Sequence, residues 1–359
     1  MNTYDIVVVG AGPAGSTAAR ISAESGLKTA LLEEHQVIGV PVHCSGFISG
    51  NIWPELSENI FQTIDKTAVV GKYEKRHIYA PSGKIVKEIP FSGIGCYLVR
   101  RDYFDQALVR QAVNAGADLM IHTRATGILK QDGRVVGITT GSSMMPNIMA
   151  KIIIGTDGIN AAQKGIPKWE GMAATSPTFT EGVALELTRV KEIEPAVTEY
   201  HTGSFIKKGW TTIHPIDTVS CVAHFMSMSE FYNVKKGNYA LSKKLRDAVP
   251  VRITGYNHTS DLGIGFPQLV KDGLILAGSS ANFRGILPAI ISGRFAAEIA
   301  VAAIKENDIT SKTLSRYEEL CAVLRTNAKP FVQQNPFYER SDEDIEKLLN
   351  EMIKRNEFP

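Results

Sequence analysis

The spacing of apolar and polar positions changes several times along the chain, and each change predicts an element. Tyr4 to Val9 is a short β-branched run, the pattern of a strand buried on both faces, and it leads straight into Gly10-Ala11-Gly12-Pro13-Ala14-Gly15. Ser16 to Ser25 predicts a helix with small residues toward a sheet, and Lys28 to Leu32 predicts a second strand ending at Glu33, which together make a βαβ unit. Asp102 predicts the cap of a helix that runs through Ala115 and stops at Gly116. Strands are predicted at Leu119 to His122, at Gly127 to Lys130 and Val135 to Thr139 on either side of Asp132-Gly133, and at Lys151 to Ile154. A further strand, Leu274 to Ala277, passes through a glycine and serine turn into a long helix over Leu287 to Lys305.

Two stretches between these elements are patterned differently. Residues 66–97 predict a hairpin turning at Pro81-Ser82-Gly83, and residues 176–256 alternate strands such as Gly182 to Leu187 with an amphipathic helix near Leu241 to Val249. In the tail, Ser341 predicts a helix N-cap followed by Asp342, Glu343 and Asp344, and Ile345, Leu348, Leu349, Met352 and Ile353 fall on one helical face. The expected fold is therefore α/β. A discontinuous Rossmann-like nucleotide-binding domain spans 1–65, 98–175 and 257–310, an inserted antiparallel β-sheet substrate domain spans 66–97 and 176–256, and a helical C-terminal region spans 311–359.

Length supports that division, because 359 residues exceed what one hydrophobic core usually fills. Charge narrows the function: 39 basic against 37 acidic residues leave a net charge of +2, which argues against nucleic acid as a partner. Cys44, Cys96, Cys221 and Cys321 lie too far apart for zinc or iron–sulfur spacing, so no metal is expected, and so few cysteines in a long chain fit a reducing cytoplasm. No basic n-region and no run of roughly 18 apolar residues is present, so the protein is expected in the cytoplasm, either soluble or peripheral at a membrane.

The glycine turn carries the first chemistry. Gly10 permits a tight turn, Gly12 lets the backbone approach a pyrophosphate beside Ala14, and Gly15 lets helix and strand pack closely, while the helix N-terminus favours the phosphate charge. Glu33, with Glu34 next to it, stands where an acid accepts hydrogen bonds from a ribose, which favours FAD or NAD over NADP.

Five segments resemble the geranylgeranyl reductase family, flavoproteins of the p-hydroxybenzoate hydroxylase superfamily that include archaeal lipid reductases. They are the glycine turn with Glu33, Gly39-Val-Pro41-Val-His43-Cys44-Ser-Gly46, Arg101-Asp-Tyr-Phe104-Asp105, Gly155-Thr-Asp157-Gly158, and Gly285-Ile286-Leu-Pro-Ala289-Ile-Ile-Ser292-Gly293-Arg294. The resemblance implies FAD with its adenosine on the first βαβ unit, Arg101 near the diphosphate and ribityl chain, and Asp157-Gly158 as a second flavin-binding turn. It places Cys44 close to the flavin ring on the substrate side, with His43 beside it.

Two departures from the family pattern stand out. Gly278 is kept, but Ser279 occupies the place of the family's ribityl-binding aspartate, and about six residues of the following flavin loop are missing before Gly285-Ile286. The substrate-domain signature is replaced by Gly209-Trp210-Thr211-Thr212-Ile213-His214-Pro215, which predicts a smaller or more polar cavity with Trp210, Thr212 and Pro215 at the substrate and His214 as a proton donor. The leading expectation is an FAD-dependent oxidoreductase that reduces carbon–carbon double bonds of an isoprenoid or related hydrophobic substrate, a membrane lipid among the candidates, with Cys44 and His214 as acids. Its electron donor is expected to be NAD(P)H or a redox protein, because no second glycine-rich nucleotide fold is visible. An FAD monooxygenase and a non-catalytic flavoprotein homologue that binds a partner remain alternatives at this stage.

Overall fold

The computed structural model describes residues 3–49, 66–91, 95–158, 169, 172, 179–206, 209–259, 268–326, 337 and 340–355. The chain forms two units, Met1–Pro41 with Asp102–Pro177 and Asp261–Pro330, and Val42–Arg101 with Thr178–Ser260 and Phe331–Pro359.

In the first unit the strands are β1 (Thr3–Val9), β2 (Thr29–Leu32), β8 (Asp118–Met120), β9 (Ala125–Gln131), β10 (Arg134–Thr140), β11 (Asn147–Gly155), β17 (Val270–Lys271) and β18 (Leu274–Leu276). They form one sheet in the order β17-β18-β11-β1-β2-β8, with β10 on β11 and β9 on β10. Ile6, Val7 and Val8 are wholly buried, as a strand with parallel neighbours on both sides requires. The register then decides where chemistry can occur: Val9 pairs with both Gly155 and Leu32, and Gly155 pairs with Leu276. Four adjacent parallel strands thus end level, the position at which open α/β sheets bind nucleotides. Helix α1 (Pro13–Glu24) packs against α5 (Ile286–Lys305), whose apolar side chains are mostly buried. The latter is long and apolar enough to cross a membrane by length and composition, yet 72% of that stretch is buried in the protein. Helix α2 (Arg101–Asn114) and three short helices, α6 (Ser311–Leu314), α7 (Arg316–Leu320) and α8 (Ala322–Thr326), complete the helices described between the two ends of this unit's segments.

The second unit has a seven-stranded sheet built from β5 (Lys75–Tyr79), β6 (Ile85–Pro90), β12 (Phe179–Thr188), β13 (Val197–His201), β14 (Thr211–Pro215), β15 (Cys221–Phe225) and β16 (Val249–Thr259), in the order β16-β12-β15-β14-β13-β5-β6. A three-stranded sheet of β3 (Phe47–Ser49), β7 (Cys96–Val99) and β4 (Val69–Tyr73) lies in the same unit. Because side chains alternate along a strand, the large sheet has two distinct faces. Leu185, Leu187, Ile213 and Ala223 pack under α3 (Met228–Lys236) and α4 (Ala240–Leu245), through Phe231, Val234, Leu241 and Leu245. Ala184 and Val222 point the other way and join Tyr73, Cys96 and Leu98 of the small sheet. Helix α9 (Asp342–Arg355) sets Ile345 and Leu349 on Ile78 and Ala80, with its N-terminal turns tied by hydrogen bonds from Ser204 N to Asp342 and from Ser82 N to Glu346.

Several local details differ from the sequence pattern. The helix expected over Leu241 to Val249 covers only Ala240–Leu245, because Val249 already begins the long strand β16. Helix α3 lies inside the stretch read as alternating strands; Ser227 accepts from Glu230 N while Glu230 accepts from Met226 N. Residues 42–49 fall in the second unit, since β3 pairs with β7, and residues 331–359 fall there too, through α9.

Candidate functional site

The turn from β1 to α1 is shaped by what its glycines cannot carry. Gly10 has a φ of +99°, and a Cβ there would sit 2.7 Å from the Thr156 carbonyl oxygen. At Gly15 a Cβ would lie only 1.9 Å from the Gly10 carbonyl oxygen, so helix and turn approach to a distance that no other residue permits. Gly12 is different: a Cβ on it would meet nothing within 4 Å, and its backbone faces open space. It is the N-cap of α1, no side chain caps the helix, and no acid occupies the first turn, so the first amides of α1 face that space without a side-chain acceptor. Ala14 is buried behind the turn. Glu33 stands at the lip, accepting from Ala11 N at 3.1 Å, from His35 N at 3.0 Å and paired with His35 Nδ1 at 2.6 Å. These features fit a dinucleotide: an uncapped amide cradle for phosphate and a fixed carboxylate beside it. Glu34 instead turns outward, 3.5 Å from Arg124 Nε.

At the ends of β11 and β18 a second group assembles. Ser280 donates to Asp157 Oδ1 at 2.8 Å and accepts from Gly158 N at 2.9 Å, while Trp169 Nε1 donates to both oxygens of Asp157 at 2.9 and 3.1 Å. Burial pushes the Asp157 carboxyl up to about 6, against the hydrogen bonds from Ser280 and Trp169 that draw it down. The serine tied to this turn is thus Ser280; Ser279, placed in the aspartate's position from sequence, makes no side-chain hydrogen bond to another described residue. Gly278 donates its N–H to Ser292 Oγ at 2.9 Å, and Gly285 caps α5 just before the buried Ile286. Sequence reasoning missed Ser280 and Trp169.

The second unit contains a pocket on the face of the large sheet that meets the small one. Its walls are Val42, Val70, Leu98, Val99, Ala184, Ile216 and Val222, and its polar groups are Cys44, Ser45, Arg100, Arg101, Glu186, Arg252 and Thr254. Cys44 is half-buried, and its Sγ accepts from Gly46 N at 3.4 Å. Cys44, expected beside the flavin on the substrate side, and Arg101, expected near the diphosphate and ribityl chain, both line this pocket, whereas His43, expected at the substrate, is exposed and outside it.

The segment Trp210 to Pro215 does not line the pocket. Trp210 packs edge-on against Phe337, with ring centres 5.2 Å apart, in the cluster under α9. Thr212 Oγ1 lies 2.5 Å from His224 Nδ1, and the Pro215 carbonyl accepts the Tyr73 hydroxyl at 2.7 Å. His214 is stacked on Phe47 at 4.3 Å, and its Nδ1 has no hydrogen-bond partner among the described residues. Burial, with His224 nearby, holds its pKa well below the usual histidine value. A neutral imidazole sealed by rings has no proton to give at neutral pH, so the acid role expected of His214 does not match its surroundings.

Comparison with known proteins agrees with this architecture. The family described as FAD dependent oxidoreductase matches residues 5–272. A digeranylgeranylglycerophospholipid reductase of Thermoplasma volcanium is 28% identical over 98% of this chain and 91% of its own length, and one of Methanothrix thermoacetophila is 30% identical over 96% and 90%. A solved geranylgeranyl bacteriochlorophyll reductase-like protein from Thermoplasma acidophilum superposes with a TM-score of 0.81 at 25% identity, covering 98% of this chain and 91% of that one. With the glycine cradle, Glu33 and the level strand ends already in place, this chain belongs to the FAD-dependent oxidoreductases and, among them, to the geranylgeranyl reductase family.

Proposed function

We propose that this flavoenzyme reduces carbon–carbon double bonds of an isoprenoid lipid, the substrate class named in its relatives, and that the alkene enters the pocket beside Cys44. The observation that carries the reading is the pocket itself, whose lining joins apolar side chains to charged ones and holds a single thiol in its wall. In this reading FAD is held by the turn from Gly10 to Gly15, by Glu33 and by the turn at Asp157, Gly158 and Gly278, with Arg101 toward its diphosphate. Bound and reduced, FAD supplies hydride to one alkene carbon.

The chain's own residues supply the rest. Val70, Leu98, Ile216 and Val222 hold the hydrocarbon and exclude water. Cys44 holds a proton at Sγ for the second alkene carbon, and the resulting thiolate regains its proton from solvent, so that hydride and proton together add two hydrogens across the bond. Cys44 takes this role over His214 because it lines the pocket and His214 does not. Reducing equivalents come from NAD(P)H or a redox protein, and a lipid of this kind places the enzyme in the cytoplasm at a membrane surface.

The test is anaerobic. The dithionite-reduced enzyme is mixed with digeranylgeranylglycerophospholipid, and recovery of the oxidised flavin band is followed together with the product mass. Reoxidation with a gain of two hydrogens per double bond is expected; no reoxidation by any isoprenoid lipid removes the reductase reading. Cys44→Ala should retain FAD and slow the single turnover by about 10²-fold, the scale of general-acid catalysis, and wild-type rates in that variant would take the thiol out of the mechanism.

A further inference from the structure

The sheet face that lines the Cys44 pocket carries two opposite charges on neighbouring strands. Glu186 on β12 and Arg252 on β16 are direct cross-strand partners, and Ala184 and Thr254 form the next pair on the same face. Directly opposed residues in an antiparallel pair have Cβ atoms roughly 4.5–5.5 Å apart, a separation these long side chains easily bridge. They do not bridge it. Among the described residues, Glu186 and Arg252 make no ion pair or hydrogen bond with each other or with any other side chain, although both are half-buried. Arg100 and Arg101, in the same pocket, differ in already having partners within the chain. Neither charged head is sealed from solvent, so both give up only part of their hydration and stand open to a ligand that replaces it. The apolar part of the lining, Val70, Leu98, Ile216 and Val222, begins directly beside this pair, because Val222 on β15 is the cross-strand partner of Glu186 on its other side.

We propose that Arg252 and Glu186 are the head-group determinant of this pocket, selecting an amphiphile whose acidic head carries a neighbouring hydroxyl. The guanidinium fork takes the anionic oxygens, the Glu186 carboxylate accepts the hydroxyl, and the hydrocarbon runs onto the apolar lining. A neutral lipid leaves Arg252 half-buried and unpaired, so the pair rejects as well as attracts. This inference rests on the pocket being the substrate site and adds which residues choose the lipid that enters.

The test uses saturated probes, which bind without being reduced. Isothermal titration of the FAD-loaded protein compares octyl phosphate, 1-octyl-glycerol-3-phosphate, octanol and inorganic phosphate. Octyl phosphate should bind at least ten-fold tighter than octanol and than inorganic phosphate, and the glycerol phosphate tighter again. Arg252→Met should cancel the preference for octyl phosphate over octanol, Arg252→Lys should restore part of it, and Glu186→Gln should remove only the added gain from the glycerol hydroxyl. If Arg252→Met fails to fold, Arg252→Gln gives the same reading. The proposal is overturned if a folded variant without the positive charge keeps the preference, or if inorganic phosphate binds as tightly as octyl phosphate, which marks a bare anion site. A wild type that shows the preference but is not reoxidised by isoprenoid phospholipid loses the reductase reading alone. One that is reoxidised without the preference loses only this inference.

Discussion

In the nucleotide cradle, Gly10, Glu33, Asp157 and Gly278 each follow closely on one of four parallel strands that end level, and the turn beside α1 exposes backbone amides rather than side chains. In the Cys44 pocket, Ala184, Glu186, Val222, Arg252 and Thr254 project from the middle of antiparallel strands, and a one-residue slip would turn any of them to the opposite face. The first site depends on where strands stop and the second on which way side chains point. A cradle of the first kind tolerates little change and serves one cofactor, whereas a sheet face of the second kind can change substrate by single substitutions while its fold is kept.

The largest effect should come from adding one carbon to the cradle. Gly15→Ala sets a Cβ 1.9 Å from the Gly10 carbonyl and 2.5 Å from Thr156 Oγ1, neither of which is the end of a flexible chain. A loss of about 3 kcal/mol or more is expected, the upper range for overpacking, read as failure to fold or a much lower melting temperature. Gly12→Ala separates binding from folding at the same turn, because its Cβ enters open space. Apoprotein stability should stay within about 0.5 kcal/mol of wild type, while FAD affinity falls at least ten-fold. A Gly12→Ala protein that holds FAD normally would show that phosphate does not sit there.

The second unit has its own rigid point, away from the pocket. Glu199 is buried between His201 Nε2 at 2.8 Å and Lys244 Nζ at 2.5 Å, and Lys244 also donates to the Glu192 carbonyl at 2.5 Å, tying α4 to β13. Burial alone would raise the Glu199 carboxyl, but the His201 hydrogen bond and the Lys244 charge outweigh it and hold the group below its usual value. A depressed carboxyl contributes stability above its unfolded pKa and loses it as pH falls through the folded one. Lys244→Met should therefore cost about 3 kcal/mol at pH 7, the lower range for stranding a buried charge. The cost should shrink in acid as Glu199 protonates. An equal cost at pH 3 and pH 7 would mean that lost packing, not charge, is responsible.

What was legible in the sequence follows the same division. The glycine turn, Glu33 and the long helix α5 are written in residue type and spacing, because a positive φ or a close approach selects glycine wherever it occurs. Helix α3 was legible too, since Ser227 and Glu230 stand at capping-box spacing, but the alternating run around them favoured strands. The bond from Ser280 to Asp157 spans 123 positions, and nothing local distinguishes Ser280 from Ser279. His214 reads as a near-neutral acid until Phe47 covers it, and Glu186 and Arg252 meet only through a register that shifts beside Glu186. These features depend on pairing between distant strands, which a single sequence does not specify.

The smallest predicted effect bears on whether Asp157 serves the fold or the cofactor. Its carboxyl titrates at about 6 in the folded chain against an ordinary value of 3.8, with burial the main cause. The sign is opposite to that of Glu199: the folded state favours the protonated form, so the stability this group contributes is complete below about pH 4 and declines as pH rises toward 6. The deficit above that window is at most on the order of 3 kcal/mol. Asp157→Asn removes the charge yet keeps an oxygen for Trp169 Nε1, so the apoprotein should gain about 1 kcal/mol at pH 7 and melt with a flatter pH profile between 4 and 6. A buried carboxylate retained at such a cost should be doing something for the ligand, and FAD affinity in the same variant should drop about ten-fold, the effect of weakening one charge-assisted hydrogen bond. A stabilised variant that keeps FAD unchanged would assign Asp157, Ser280 and Trp169 to the fold alone and narrow the cofactor site to the glycine cradle and Glu33.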